Sequence, residues 1–236
     1  MKTRLTIGIV TYNALFYNKL ALMMIERFTN EPYEILVYDN GSTDGSREWF
    51  ENQDVKLFRS LTTNDRSHGS ALDYLVSQCK TPIFCALDAD AFPVSENWLE
   101  PMNEIDDNVV LSGIGRGWGY TLKDYVHPSY LFGKTEFLIN NSFQHRWPDV
   151  GPKYDTGELL TENADKCGHS VRMFKVTEVD FDRRFTPKPC DYAGLVWHVW
   201  WSSRKTVSPG LAGIEFESGY HEYCQELFRK KYNLDF

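Results

Sequence analysis

Two hydrophobic periods alternate through the first hundred residues, and this constrains the fold more than any other feature of the chain. Apolar runs at Leu5–Val10, Tyr33–Tyr38, Val55–Phe58 and Ile83–Leu87 read as buried strands. Between them, Leu15–Phe28 carries Leu15, Leu20, Leu22, Met23 and Ile25 at helical spacing. Ser67–Cys79 does the same with Ala71, Leu72, Leu75 and Val76. Asp44 is placed to cap a shorter helix through Trp49 and Phe50. Such strand–helix alternation predicts an α/β fold: a mainly parallel central sheet flanked by helices, with right-handed crossovers.

The pattern loosens after about residue 105. Val109–Leu111 reads as a strand. The run Gly113-Ile-Gly-Arg-Gly-Trp-Gly119 has the look of a dinucleotide fingerprint, but no helix follows it, so a flexible loop is expected there. Glu158–Lys166 reads as a helix closed by Gly168. Val171–Val176 and Leu195–Trp200 are strand candidates, and Tyr220–Lys231 an amphipathic helix. With no repeat or low-complexity linker, residues 1–236 are expected to form one domain.

Composition narrows the partners. A net charge of −8 argues against a nucleic-acid binder working through a basic face. An anionic substrate then needs a metal or a local positive cluster. The five cysteines (79, 85, 167, 190 and 224) lack metal-ligand spacing and point to reduced thiols. Residues 1–13 contain only a short apolar stretch, unlike a signal peptide, and no apolar run is long enough for a membrane span. The expectation is a soluble, cytoplasmic protein.

Polar groups collect at the strand ends. Pro82-Ile-Phe-Cys-Ala-Leu-Asp-Ala-Asp-Ala-Phe-Pro93 is a core strand that breaks off into Asp88 and Asp90. Carboxylates at the carboxyl end of a buried strand need neutralising, and in an open α/β sheet that end is where ligands bind. Two hard oxygen ligands suit Mg²⁺ or Mn²⁺ held together with substrate phosphates. The plainer alternative is a solvated turn. Three more clusters fall at strand or helix ends: Thr11-Tyr12-Asn13, Asp39-Asn40-Gly41-Ser42 and Arg66-Ser67-His68-Gly69. Asp39 to Ser42 can equally be an Asx turn, and His68 a helix cap.

In the order and spacing of these pieces (the Thr-Tyr-Asn turn, Glu34 to Ser46, Arg66 to Asp73, and Ala86 to Asp90) the chain resembles glycosyltransferase family 2 and related enzymes of the GT-A fold. The resemblance implies a metal-dependent transfer of sugar from a nucleotide-diphospho-sugar, UDP- or dTDP-type favoured, to a glycan or other hydroxyl-bearing acceptor. It divides the domain into a nucleotide-binding half (1–105), an acceptor and catalytic half (106–210) and a C-terminal tail and helix (211–236). It implies that Asp39 meets a ring N–H of the base, that Thr11, Tyr12, Asn13 and Asn40 touch the nucleoside, and that Asp88 and Asp90 hold ribose and metal. Arg66, His68 and Gly69 would lie by the diphosphate or base.

In the second half the resemblance places a third metal ligand at His198, followed by Ser203, Arg204 and Lys205 as donors to the diphosphate. The alternative for His198 is a half-buried strand residue bonded to a backbone carbonyl. Inverting relatives use a carboxylate from an acidic pair at a helix start. The usual Glu-Asp dipeptide is absent here, leaving Asp155 and Glu158 as candidates, or an N-cap with its capping-box partner. His127 is an alternative acceptor-side group, or part of a turn. Competing functions are a nucleotidyltransferase, disfavoured because no basic glycine-rich phosphate loop follows the first strand, and an inactive nucleotide-sugar-binding module.

Overall fold

The computed structural model describes residues 3–60, 67–116, 124–144, 154–177, 190–199 and 220–232. Along the chain run β1 (Leu5–Thr11), α1 (Leu15–Phe28), β2 (Tyr33–Asp39), α2 (Ser46–Phe50), β3 (Lys56–Arg59), α3 (His68–Gln78), β4 (Ile83–Leu87), β5 (Ala91–Pro93) and α4 (Glu100–Asn103). There follow β6 (Val109–Arg116), β7 (Tyr125–Lys134), α5 (Thr135–Asn140), α6 (Glu158–Lys166), β8 (Ser170–Phe174), β9 (Val176–Thr177), β10 (Cys190–Tyr192), β11 (Val196–His198) and α7 (Tyr220–Tyr232). Among the described residues no helix is long and apolar enough to cross a membrane.

The central sheet has the order β3-β2-β1-β4-β7-β6-β8. β1 to β4 run parallel, and β7 alone runs against its neighbours β4 and β6. One face packs Ile7, Val37 and Cys85 against Ile25 of α1 and Met102 of α4. The other packs Leu36, Phe84 and Leu131 against Leu72 and Leu75 of α3, Leu138 of α5 and Leu160 of α6. Burial on both faces explains why the strands read as continuous apolar runs rather than alternating ones.

A smaller sheet, β5-β11-β10-β9, carries the segment after Asp90 and the segment ending in His198. β5 and β11 are antiparallel, with Ala91 opposite His198, and Val199 N–H donates to Asp90 O at 3.0 Å. Phe92 and Trp197 from this sheet pack with Leu20, Ala21 and Met24 of α1 and with Phe228 of α7. The Phe228 ring meets Phe92 edge-on, centroids 4.9 Å apart, and Lys231 Nζ lies 4.9 Å from the centre of the Trp197 ring. The C-terminal helix therefore buttresses the platform that holds His198.

Three expectations are corrected. The glycine-rich run is strand through Arg116, because β6 pairs with both β7 and β8; residues 117–119 lie outside the described residues. Pro128 does not mark a turn but sits inside β7. Between the pairs Gly113↔Leu131 and Gly115↔Val126, two steps along β6 oppose five along β7, so β7 bulges out over His127-Pro128-Ser129. A bulge is where a strand tolerates a residue with no N–H to donate. Gly113 permits it, since a Cβ there would lie 2.3 Å from Tyr130 O. Finally, Asp155 is not the N-cap of α6. Gly157 holds that position with φ +80°, a conformation glycine adopts at little cost.

Candidate active site

The carboxyl ends of β1, β2 and β4 lie side by side, because parallel pairing sets Thr11 opposite Asp39 and Gly8 opposite Ala86. The two loops beyond β1 and β2 are stitched together. Asn40 N donates to Thr11 O at 2.9 Å, Asn13 N to Ser42 Oγ at 2.9 Å, and Thr43 N to Asn13 Oδ1 at 2.7 Å. Asn13 has φ +48°, in the left-handed region that Asn tolerates better than most residues. Asp44 accepts from both Leu15 N and Ser46 N, supplying starts for α1 and α2 whose cap residues, Ala14 and Gly45, offer no side-chain bond.

Within this frame Asp39 is fully buried, and both its carboxylate oxygens accept from Ser42 N at 3.2 and 3.3 Å. This side-chain-to-backbone bond spans three residues, one more than the Asx turn expected as the alternative, and one shared N–H leaves the carboxylate further lone pairs. Thr11 turns its hydroxyl to Asn18 Oδ1 of α1, so its side chain secures the helix. Ser67 rather than His68 caps α3, its Oγ accepting from Ser70 N. His68 Nε2 lies 3.4 Å from Asp88 Oδ1. Gly69 packs against the backbone of residues 143–144, and Asp73 holds the same segment by accepting from Phe143 N at 2.7 Å and from the Ser142 hydroxyl. Arg66, Ser203, Arg204 and Lys205 lie outside the described residues.

The sequence-distant pieces meet at Asp88, Asp90 and His198, whose ligand atoms all lie within 4.8 Å of one another. His198 Nε2 is 3.1 Å from Asp90 Oδ1 and 3.4 Å from Asp88 Oδ2. Burial on its own disfavours a charged imidazole, but the Asp90 charge and hydrogen bonds to both carboxylates outweigh it and push the His198 pKa up to about 9. Burial would likewise raise the Asp88 pKa. The His198 hydrogen bond and the charges of His68, His198 and His127 prevail, holding it below the usual carboxylate range. Two carboxylates and an imidazole converging on one point, with His198 1% exposed, is a donor set that fits Mn²⁺ better than Mg²⁺.

Asp155 stands beyond this cluster. Its Oδ1 accepts from Thr156 N at 2.8 Å, and its Oδ2 accepts from the Tyr125 hydroxyl at 2.9 Å, with His127 Nε2 at 3.9 Å. The Asp155 side chain remains 29% exposed. Glu158 instead reaches back to accept from Asp155 N at 2.9 Å, which is half of a capping box and is made while the residue is buried. Sequence reasoning missed Tyr125, Ser129 and Tyr192. The signal for the last was the Ala193-Gly194 pair, both at positive φ, which turns β10 back into β11.

The glycosyl transferase family 2 model matches residues 6–170, and the chain belongs to that family. Among solved structures it is similar to the mannosyltransferase PcManGT from Pyrobaculum calidifontis in complex with GDP-Man and Mn²⁺. The identity is 21% and the TM-score 0.57, over 73% of this chain and 55% of that one. S. aureus TarS in complex with UDP-GlcNAc is similar at 19% identity and TM-score 0.53, over 76% and 60% of the two chains. Glucosyl-3-phosphoglycerate synthase from Mycobacterium tuberculosis, with Mn²⁺, UDP and glucosyl-3-phosphoglycerate, is similar at 14% identity and TM-score 0.56, over 73% and 70%. These likenesses establish the GT-A fold. The chain spans little more than half the length of the first two. No curated protein matches it.

Proposed function

We propose that this chain is a metal-dependent glycosyltransferase that moves a sugar from a nucleotide-diphospho-sugar, of the UDP or dTDP type, to an acceptor hydroxyl with inversion, in glycan synthesis. The observation that carries the reading is the convergence of Asp88, Asp90 and His198 at the strand ends, beside the stitched loops of Thr11–Asn13 and Asp39–Ser42. Membership of the family and the nucleotide-sugar and Mn²⁺ complexes of the similar structures support it.

Asp88, Asp90 and His198 would hold the cation, Mn²⁺ or Mg²⁺, which when bound neutralises charge on a leaving nucleoside diphosphate. Asp39 offers an acceptor to the ring N3–H of uracil or thymine, with Tyr12, Asn13 and Asn40 around the nucleoside. His68, beside Asp88, faces the same region. Arg66, Ser203, Arg204 and Lys205 are assigned to the diphosphate on sequence grounds. Asp155 takes the acceptor proton as the hydroxyl oxygen attacks the anomeric carbon. Its carboxylate is held by Tyr125 and Thr156 yet keeps solvent access, whereas the Glu158 carboxylate is engaged at the helix start.

The test is donor binding and turnover with UDP-, dTDP- and GDP-sugars, with and without Mn²⁺. Binding should need the cation, and Asp90→Ala should abolish turnover; near-full activity of that variant in chelator would overturn the metal assignment. Asp39→Ala should weaken UDP binding by about 1.5–3 kcal/mol, the worth of a buried hydrogen bond to a charge. Unchanged UDP affinity would remove Asp39 from base recognition, and a preference for GDP-sugars would replace the uracil assignment with guanine, whose N1–H a carboxylate also accepts.

A further inference from the structure

The β7 bulge carries a run of hydrogen-bond contacts from His127, whose Nε2 lies 3.9 Å from Asp155 Oδ2, to His198 of the Asp88–Asp90–His198 cluster. His127 Nδ1 is 2.8 Å from Ser129 Oγ, Ser129 Oγ is 3.0 Å from Tyr192 Oη, and Tyr192 Oη is 2.6 Å from His198 Nδ1. Ser129 and Tyr192 are fully buried, and His127 and His198 nearly so. Each contact taken alone is ambiguous, since hydroxyls and imidazoles both donate and accept. One further bond removes the ambiguity: the backbone N–H of Ser129 donates to His127 Nδ1 at 3.1 Å, and a backbone N–H can only donate.

His127 Nδ1 is therefore an acceptor, and its ring proton sits on Nε2, the nitrogen facing Asp155. The Ser129 hydroxyl, with an acceptor in front of it, donates to His127 and must accept from Tyr192. Tyr192 in turn accepts from His198 Nδ1–H. That leaves His198 Nε2 as the nitrogen that presents a lone pair to a cation between Asp88 and Asp90. We propose that Ser129 and Tyr192 are positioning residues that transmit one direction of hydrogen bonding from the Ser129 amide, fixing His198 for metal through Nε2 and His127 as an Nε2–H donor towards Asp155. The His198 half rests on the metal reading above; the His127 half does not.

Outer-sphere partners of a ligating histidine typically govern metal affinity by 10–100-fold. Mn²⁺ alone is titrated into the whole chain and followed by water-proton relaxation, for the wild type, Tyr192→Phe, Ser129→Ala, the double variant and His198→Ala. Tyr192→Phe keeps the ring and its stacking on Tyr130 and loses only the hydroxyl. It should weaken Mn²⁺ binding by about 10–100-fold with an unchanged melting temperature. The double variant should bind no worse than Tyr192→Phe alone, because both residues act along one chain, whereas independent packing effects would add. In ¹⁵N-histidine spectra recorded in chelator, His127 should carry its proton on Nε2 in the wild type and in Ser129→Ala, where the amide donor survives.

If Tyr192→Phe binds Mn²⁺ like the wild type while His198→Ala does not bind it, the positioning role is wrong and the metal site stands. If the wild type binds no Mn²⁺, the metal reading and the His198 half fall together, and the ¹⁵N spectrum still decides the His127 half. A His127 protonated on Nδ1 alone would overturn the direction of the whole chain.

Discussion

Asp155 shows how little a residue's neighbours in sequence say about its work. A carboxylate three positions before a glutamate at a helix start reads equally as a cap or as a base. In the fold the cap is Gly157, and the Asp155 carboxylate bonds Tyr125, thirty residues away. Asp155→Asn should then lower turnover by about 10²–10⁴-fold, the usual worth of a positioned base. Donor affinity and melting temperature should barely change, since the amide can still accept from Thr156 N. Glu158→Gln keeps an acceptor for Asp155 N and should leave turnover nearly intact. Steady-state kinetics of the two variants decide between them: an active Asp155→Asn with an inactive Glu158→Gln reverses the assignment, and two active variants move the base to another group.

Among the elements, β6 and β7 depart furthest from the sequence pattern. Four closely spaced glycines read as a loop and a proline reads as a break, yet Gly113, Gly115 and Pro128 lie within the paired strands β6 and β7. The glycine and the proline serve one bulge. Gly113 lets the Tyr130 carbonyl approach, and Pro128 occupies the segment released from pairing. The bulge also reaches the Asp88–Asp90–His198 cluster through the backbone, since Asp88 N donates to Ser129 O at 3.2 Å. Gly113→Ala should cost roughly 1–3 kcal/mol in chemical denaturation, as overpacking does, and should weaken Mn²⁺ binding too by displacing Ser129. Wild-type stability and affinity in that variant would mean the close approach is relieved elsewhere.

At the scale of the whole molecule, the site joins the end of β4 in the large sheet to β5 and β11 of the small one, and its charges tie stability to pH. A histidine whose folded pKa exceeds its unfolded value stabilises the fold fully below the unfolded pKa and loses that contribution as pH rises through the folded one. For His198 the window runs from 6.5 to about 9. Asp88 works oppositely: its lowered pKa contributes above 3.8, and the contribution is lost as pH falls below that value. In chelator, thermal melts should show stability declining by on the order of 2–3 kcal/mol between pH 6.5 and 9. With saturating Mn²⁺ the decline should shrink, because the cation takes the place of the Nε2 proton. A flat chelator profile across that window would mean His198 is not charged in the metal-free protein.

Much of this was legible in the chain alone. The β–α alternation, the parallel sheet and the polar strand ends at Thr11, Asp39 and Asp88 depend on local periodicity. A strand buried on both faces shows its apolar run and the residue where the run stops, whatever it later packs against. His198 was legible as a candidate through the family resemblance and the Ser203, Arg204 and Lys205 that follow it, not through periodicity. What only the tertiary structure decided are the pairings between distant residues: His198 with Asp90, Tyr192 with Ser129, and Tyr125 with Asp155. These depend on how far one backbone can approach another, as at Gly113 and Tyr130, and on which nitrogen of a buried imidazole meets a donor. Such distances arise from the packing of whole layers, so no stretch of sequence carries them by itself.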